Sequence, residues 1–589
     1  MVHEKSTIDH IDNVDRSHSL VEEDVKGRDF TVADTDLPPG YFRSFSFIGS
    51  IFAIGAAFGC AVGGFSLIAP VLAIINADVG PDPNIIWLAL GYLLTTSIGL
   101  ILVGRITDLF GRRWVFIFGN VIALLGAIVC ATAHGVPQLI AGETLIGAGA
   151  SVQLSYSFAV SELVPTKYRF IAQACIFLWG IPFSGLAAAV SYAFIYQTSA
   201  GWRGIYYMLI GLNGATTLLF FFCYHPPNFA MKHGTARQWE FIKHFDYIGT
   251  IVIILGLLLF LMGLSWGGTL YPWNSAHVIA TLVVGAALIV AFVFYEMFAN
   301  LKEPLMPIHL FKRRDWVVIL VLWALGAAVY YANAILWPGM VATVYSEGHG
   351  TMWIGWVSCI PSCGILFGEY CGAWYRKKTH MQIRVAFIVG AIFLACMATS
   401  TTDSLVRSGI MIFIASSFIG WNEILCSTIS TIVIDDQREI GTATGTAGSA
   451  RSLISTICST VFTTVLSNRL AKTIPAQVPG ALVNAGLPAG SVASFLTAIA
   501  SGSAAAFAKV SGLTPEIQAA GMAAYRKASV DAYNTVFLTT IAFSGIAIIF
   551  SIFAPNVDHL LNSNVAATLH ERNTDTVVGA RRKMEETNV

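Results

Sequence analysis

The chain has 589 residues, of which 55% are hydrophobic and 12% charged, and its mean hydropathy is +0.68. A soluble domain carries about 25% charged residues, so this chain has too little polar surface to meet water on every side. Its 34 basic and 34 acidic residues cancel, which leaves no net charge to draw it to nucleic acid.

Residues 1–44 come first, polar and acidic in the stretch MVHEKSTIDHIDNVDRSH. Lacking an apolar core, the stretch does not read as a cleaved secretory signal, and a disordered cytoplasmic tail is expected. About fourteen apolar segments follow, each near the ~20 residues that span a bilayer. They begin near Phe45, Asn84, Trp114, Gln138, Phe170, Trp202, Asp246, Ala276, Trp316, Met352, Ile383, Val406, Gly445 and Asn534. They lack strand-like alternation, and a helix satisfies its own backbone polar groups in lipid where an open strand cannot. The expected class is an all-α integral membrane protein.

Lys and Arg gather in alternate loops: Arg105, Arg112 and Arg113; Lys167 and Arg169; Lys232, Arg237 and Lys243; Lys302, Lys312, Arg313 and Arg314; Arg376, Lys377, Lys378 and Arg384; then Arg438. The loops between them, such as NADVGPDPN and HGVPQ, carry almost none. The positive-inside rule puts the basic loops and both termini in the cytoplasm, which requires an even number of spans. One outer connection is long. Residues 469–532 are rich in Ala, Gly and Ser, with a helix start at Thr514-Pro515-Glu516, and are expected to form short helices on the outer surface. The ten cysteines fall in or beside apolar runs, where they act as small packing residues rather than as disulfides or metal ligands.

Between the second and third segments the chain reads GRITDLFGRRW (104–114). Gly104 permits close helix approach and Gly111 a tight turn. Asp108 at the end of one helix is placed to pair with Arg112 at the start of the next, with Arg105 and Arg113 beside them. Such a pair at a membrane edge is partly desolvated, so making and breaking it biases two states. The pattern G-x-x-x-D-x-x-G-R-R resembles the signature loop of the major facilitator superfamily, and the resemblance covers essentially all of the apolar chain. It implies two six-helix halves rocking about a central cavity, with this loop as a latch on the inner side. Fourteen spans then imply two extra central helices, roughly residues 246–297. A fainter counterpart of the latch, GEYCGAWYRKK (368–378), lacks the Asp.

The stretches INADVGPDPN (75–84), ELVPTKYR (162–169), GWRGIYYM (201–208) and GTATGTAGSARSL (441–453) are similar to those of the fungal trichothecene efflux pump group, which siderophore-iron transporters resemble in turn. Two positions depart from the superfamily's drug antiporters. Glu143 stands where they usually carry Arg, and GIPFSG (180–185) interrupts their Gly-Pro pair. The implied layout is a tail over 1–44, an N-terminal six-helix bundle over 45–224, and a cytoplasmic loop with two additional helices over 225–300. A C-terminal six-helix bundle over 301–555 contains the outer loop, and a cytoplasmic tail covers 556–589.

By the resemblance, the cavity is lined chiefly by the first, fourth, ninth and twelfth spans. On the residues themselves, Glu423, Cys426, Ser427 and Ser430 share one face of the twelfth at i, i+3, i+4, i+7 spacing, with Asn422 beside it. A charged side chain near mid-membrane costs about 2.5–3.5 kcal/mol on insertion scales, so Glu423 faces protein or water and suits a proton carrier. Glu143 and Glu369 are further acids for that role. The ninth span offers Tyr330, Asn333 and Trp337 on one face, and the fourth Gln153 and Tyr156. An aromatic and amide surface of this kind suits a bulky, weakly polar ligand. Arg451 reads as a side chain that snorkels to the cytoplasmic interface.

The sequence has no Walker P-loop, no metal-spaced His pair and no nucleophile elbow, so no enzyme activity, metal or cofactor is expected. The expected function is proton-coupled secondary transport by a monomer in the plasma membrane, with a vacuolar or vesicle membrane as a further location. The expected substrate is a hydrophobic toxin or secondary metabolite of trichothecene type, moved outward. The alternative is proton-driven import of a ferric siderophore.

Overall fold

The computed structural model describes residues 31–578, apart from 81, 230, 232–237, 269, 300, 302, 435, 502–503 and 572–575. Lys232, Arg237 and Lys302 of the basic loops lie outside the described residues. The principal helices are α1 (Phe45–Ser66), α2 (Trp87–Phe110), α3 (Arg113–Ala131), α4 (Val136–Gln153), α5 (Arg169–Phe177), α6 (Arg203–Cys223), α7 (Tyr247–Trp266), α8 (Ala276–Phe298), α9 (Arg314–Met340), α10 (Ile360–Trp374), α11 (Thr379–Cys396), α12 (Leu405–Ile432), α13 (Ile440–Asn484) and α14 (Pro515–Ser551).

Each of the fourteen expected segments is helical, but eleven helices among the described residues are long and apolar enough to cross a membrane. The other three are α4, α5 and α9. The first breaks at Leu154–Ser155 and resumes as Tyr156–Leu163. The second passes into a π-turn, Ile181–Gly185, before Ala187–Gln197. Pro182 has no N–H to give to the helix ladder, which is why the GIPFSG stretch slips there. In α9 the side chains of residues 329–335 lie outside the described ones, and Pro338 precedes a second π-turn, Val341–Tyr345.

One apolar core joins α1, α2, α4 and α6 through Phe65, Tyr92, Leu139, Ile205 and Leu209. A second joins α9, α12, α13 and α14 through Leu336, Met340, Ile412, Phe462 and Phe537. A third, on the face that carries the basic loops, crosses between these bundles, with Phe116, Phe158 and Phe170 on one side and Leu322, Ile424 and Ile429 on the other. The pair α7 and α8 stands apart and rests on α2 through Ile253, Leu257, Phe292 and Ile101. Asp246 starts α7 by accepting from Gly249 N at 2.8 Å.

Two corrections concern the loop and the tails. The outer loop is not only a set of short helices. The 45 residues of α13 rise about 67 Å, more than twice the ~30 Å hydrocarbon core, and α14 starts at Pro515 with Thr514 as its N-cap rather than near Asn534. Their projecting ends and Val492–Ser501 enclose a separate core of Val478, Leu482, Leu487, Phe495, Val510 and Ile517. The expected disordered tail is structured from residue 31, where Val32–Ala33 pairs antiparallel with Asn564–Val565. Tyr41 is fully buried, and burial pushes its hydroxyl above the ordinary tyrosine range.

The chain after α14 folds back across the basic face as a strap. Val557, Val565 and Leu569 are fully buried, and Leu569 N donates to the Tyr41 hydroxyl at 3.2 Å. Backbone bonds tie Ala567 to Glu162 and His570 to His225, while the Asp558 carboxylate receives Lys378 N at 3.0 and 3.1 Å. The strap thus touches both bundles.

Candidate transport site

The residues GRITDLFGRRW make the turn from α2 into α3, where Gly111 has φ +89°, a left-handed conformation that favours glycine. Asp108 is buried at the crossing of α2 with the start of α13. Its Oδ2 accepts from Thr442 N at 2.6 Å and from Thr442 Oγ1 at 2.8 Å. Its Oδ1 accepts from Gly441 N at 3.2 Å and from Arg112 at 3.0 Å. A carboxylate on exposed N–H groups at a helix start gains from the helix dipole as well as from each bond. The crossing needs glycine because a Cβ on Gly104 would strike the Gly441 carbonyl, the close approach that small residues permit.

The other charged residues of this turn divide. Arg112 also pairs with Glu162, and its guanidinium lies 4.6 Å over the Phe158 ring. Arg105 pairs with Glu303 beyond α8; burial pushes the Glu303 carboxyl up, and the Arg105 charge opposes this. Arg113 donates to Phe221 O of its own bundle at 2.8 Å. The stretch ELVPTKYR supplies more of the closure than its motif announced. Arg169 donates to Thr431 O at 2.7 Å and to Gln437 Oε1 at 2.8 Å across the bundle interface. One layer further in, Ser427 donates to Gln173 Oε1 at 3.0 Å, and Ser157 donates to Ser427 O at 3.3 Å. On this face the bundles are held shut by buried hydrogen bonds.

Behind that layer lies a cavity between the two bundles, whose empty space counted out to open solvent is about 1100 Å³. Its walls are largely aromatic and aliphatic, including Phe58, Phe177, Tyr156 and Trp323, and it holds Glu369, Glu423 and Arg451. Glu423 Oε1 accepts from Trp323 Nε1 at 2.8 Å and is ion-paired with Arg451 at 2.9 Å. Arg451 therefore does not snorkel to the interface. Counted from Ile440, where α13 begins, it lies eleven residues in, about 16 Å along the helix.

The expected site residues are only partly brought together. Tyr156, Glu369 and Glu423 line the cavity, whereas Gln153, Asn422, Trp337 and Glu143 do not. Gln153 donates to Asn120 at 2.8 Å and to Asn213 at 2.7 Å, which ties α4 to α3 and α6. Asn422 turns to a smaller cavity of about 350 Å³ beside Gly326 and Phe387. Trp337 is fully buried and donates to Val357 O at 2.8 Å, and Glu143 accepts from Tyr206 at 2.8 Å inside the first bundle. The side chains of Tyr330 and Asn333 lie outside the described residues. Of the expected α12 face, Cys426 donates to Asn422 and Ser430 to its own helix. Trp323, Arg451, Arg169 and Gln173 were missed. An arginine inside an apolar run is itself a signal of function, and it was there to be read for Arg451.

The family model for the fungal trichothecene efflux pump (TRI12) matches residues 7–581. The trichothecene efflux pump TRI12 of Fusarium sporotrichioides is 28% identical over 565 residues, covering 94% of this chain and 93% of its own. That of Trichoderma arundinaceum is 26% identical over 429 residues, covering 71% and 70%. Among solved structures, the major facilitator superfamily proton:xylose symporter XylE matches at a TM-score of 0.50 and 15% identity, over 87% of this chain and 98% of that one.

Proposed function

The chain belongs to the fungal trichothecene efflux pump family, a family of multi-pass membrane transporters, and on that premise we propose that it exports a hydrophobic secondary metabolite of trichothecene type in exchange for protons. The observation that carries the proposal is the central cavity, apolar over most of its wall and holding the Glu423–Arg451 ion pair above a closed basic face. An apolar site with few polar groups fits a weakly polar molecule. The basic face is cytoplasmic in this reading, by the positive-inside rule, and the membrane is the plasma membrane.

Glu423 carries the proton. Protonation removes the charge that holds Arg451 and leaves a buried guanidinium without its counter-ion, a costly state that favours rearrangement. Arg451 and Thr442 lie on the same helix, nine residues apart, so a shift of α13 at the cavity is felt at Asp108. Substrate binding and proton binding then bias one two-state element, the α2–α13 crossing.

The test is growth of a strain lacking the gene, with and without its restoration, on trichothecenes and on iron supplied only as siderophores. It is paired with pH-driven flux in liposomes. Toxin sensitivity rescued by the wild type but not by Glu423→Gln is the expected result. A defect confined to siderophore-iron growth, or pH-driven flux at the normal rate in Glu423→Gln, overturns the proposal.

A further inference from the structure

The strap that crosses the basic face is anchored at both ends. Its start belongs to the second bundle: Arg384 on α11 donates to Ile552 O at 2.8 Å, and Lys378 N donates to the Asp558 carboxylate at 3.0 Å. Lys378 has φ +51°, and among the described residues no other non-glycine has a positive φ; a conformation of this kind persists where its surroundings fix it. From Asn562 onward the strap belongs to the first bundle. Lys167 N donates to Asn562 O at 3.0 Å and Ala567 N to Glu162 O at 3.0 Å, while Lys167 Nζ donates to Ser563 Oγ at 3.0 Å. Asp558 and Asn562 are four residues apart, at most about 14 Å of extended chain, and a helical turn at Asp558–Leu560 takes up part of it. At the same seat, Arg376 of the second bundle donates to Lys167 O of the first at 3.0 Å.

We propose that the strap is an autoinhibitory clamp on the basic face, one that must leave its seat before that face opens. Reach is the first reason. With both anchors made, so short a link leaves the bundles little room to part. Burial is the second. Val557, Val565 and Leu569 are fully buried in the core that crosses between the bundles, so parting the bundles draws these side chains toward water, which is unfavourable. Shared partners are the third. The Glu162 carbonyl holds Ala567 N, and the Glu162 carboxylate pairs with Arg112, which donates to Asp108 at 3.0 Å. Seat and latch thus form one two-state element, and by linkage whatever loosens one loosens the other to the same extent. That the strap limits loading rests on the export reading, in which the basic face is the cytoplasmic side that admits the substrate.

The experiment uses the full-length protein in liposomes and needs no substrate. Spin labels on Trp114 and Lys312, exposed residues of opposite bundles, report the opening of the basic face as a longer distance. Leu569→Asp, which unseats the strap, is expected to shift the population to that longer distance, while Leu569→Met keeps the wild-type one. In the reverse direction, a thiol is introduced by Val557→Cys or Val565→Cys, and its labelling by a water-soluble maleimide is timed against the background of the ten native cysteines. Asp108→Asn is expected to speed labelling at one or both positions by the factor by which it raises the open population, and the position that gains shows which anchor parts. A folded Leu569→Asp protein at the wild-type distance overturns the inference. So does unchanged labelling at both positions in an Asp108→Asn protein whose face has opened, the result for a strap that only packs. Each arm decides by itself where the other variant fails to fold or to open. If the clamp fails while Glu423→Gln still loses pH-driven flux, the export reading stands alone. If both arms behave as expected and no toxin is exported, the clamp stands and the export reading falls.

Discussion

Replacing Asp108 by Asn tests the latch with almost no change of shape. The carboxylate receives three bonds from α13, at 2.6, 2.8 and 3.2 Å, and one from Arg112 at 3.0 Å. Asparagine keeps one oxygen, which serves Thr442, and places an amide where Gly441 N–H and Arg112 require an acceptor. Bonds to a charged group contribute about 1.5–3 kcal/mol against about 0.5–1.5 for neutral ones. Two weakened bonds and one lost bond across the interface then cost the closed state about 3 kcal/mol. At about 1.4 kcal/mol per decade, the equilibrium between closed and open forms of the basic face moves about 100-fold. Spin labels on the exposed Trp114 and Lys312, which belong to opposite bundles, report that shift as a longer distance by pulsed electron resonance. Thr442→Val, which removes one hydroxyl donor to the carboxylate and leaves the N–H, is expected to move the equilibrium about tenfold (~1.5 kcal/mol). Wild-type distances in Asp108→Asn, together with unchanged turnover, refute the latch.

The remaining predictions concern packing and partners. Gly104→Val drives a side chain into the Gly441 carbonyl and should cost about 1–3 kcal/mol as overpacking does, read as a lower melting temperature and an opened basic face; a wild-type melting curve contradicts the close crossing. Gln153→Leu leaves the Asn120 and Asn213 oxygens without their donor and should cost about 1–3 kcal/mol for each unmet acceptor, with the substrate KM unchanged; a changed KM at normal stability returns Gln153 to the substrate site. Leu569→Asp puts a charge where the side chain is fully buried and should release the strap, which limited proteolysis of the C-terminal segment detects; equal protection in both proteins is evidence against a packed strap.

The sequence was most legible where the environment is one-dimensional. Lipid demands about 20 apolar residues in a run and tolerates few charges, so the helices announced themselves. The Asp108–Arg112 pair was also readable, because both residues belong to one short turn. Helix starts were less so. The apolar pattern of α13 begins near Gly445, but the helix begins at Ile440, and the difference carries Arg451 from the expected interface into the cavity. The α12 face failed for another reason. Spacing places residues on a common side of a helix, yet α12 packs against more than one helix, so Glu423 and Asn422 reach Trp323 and Leu322 on α9 while Ser427 reaches Gln173 on α5.

Composition and periodicity alone determined that this is an all-helical membrane chain, which loops carry its positive charge, and that a glycine-bounded acid–base turn joins the second helix to the third. The tertiary structure decided what that turn holds. Asp108 meets Thr442 across 334 positions, Arg169 meets Thr431 across 262, and Glu423 finds Trp323 and Arg451 on two other helices. Such partners depend on the rotation and crossing of packed helices. Those are set by close contacts such as Gly104 on Gly441 and Gly368 on Ser417, which no local pattern along the chain encodes.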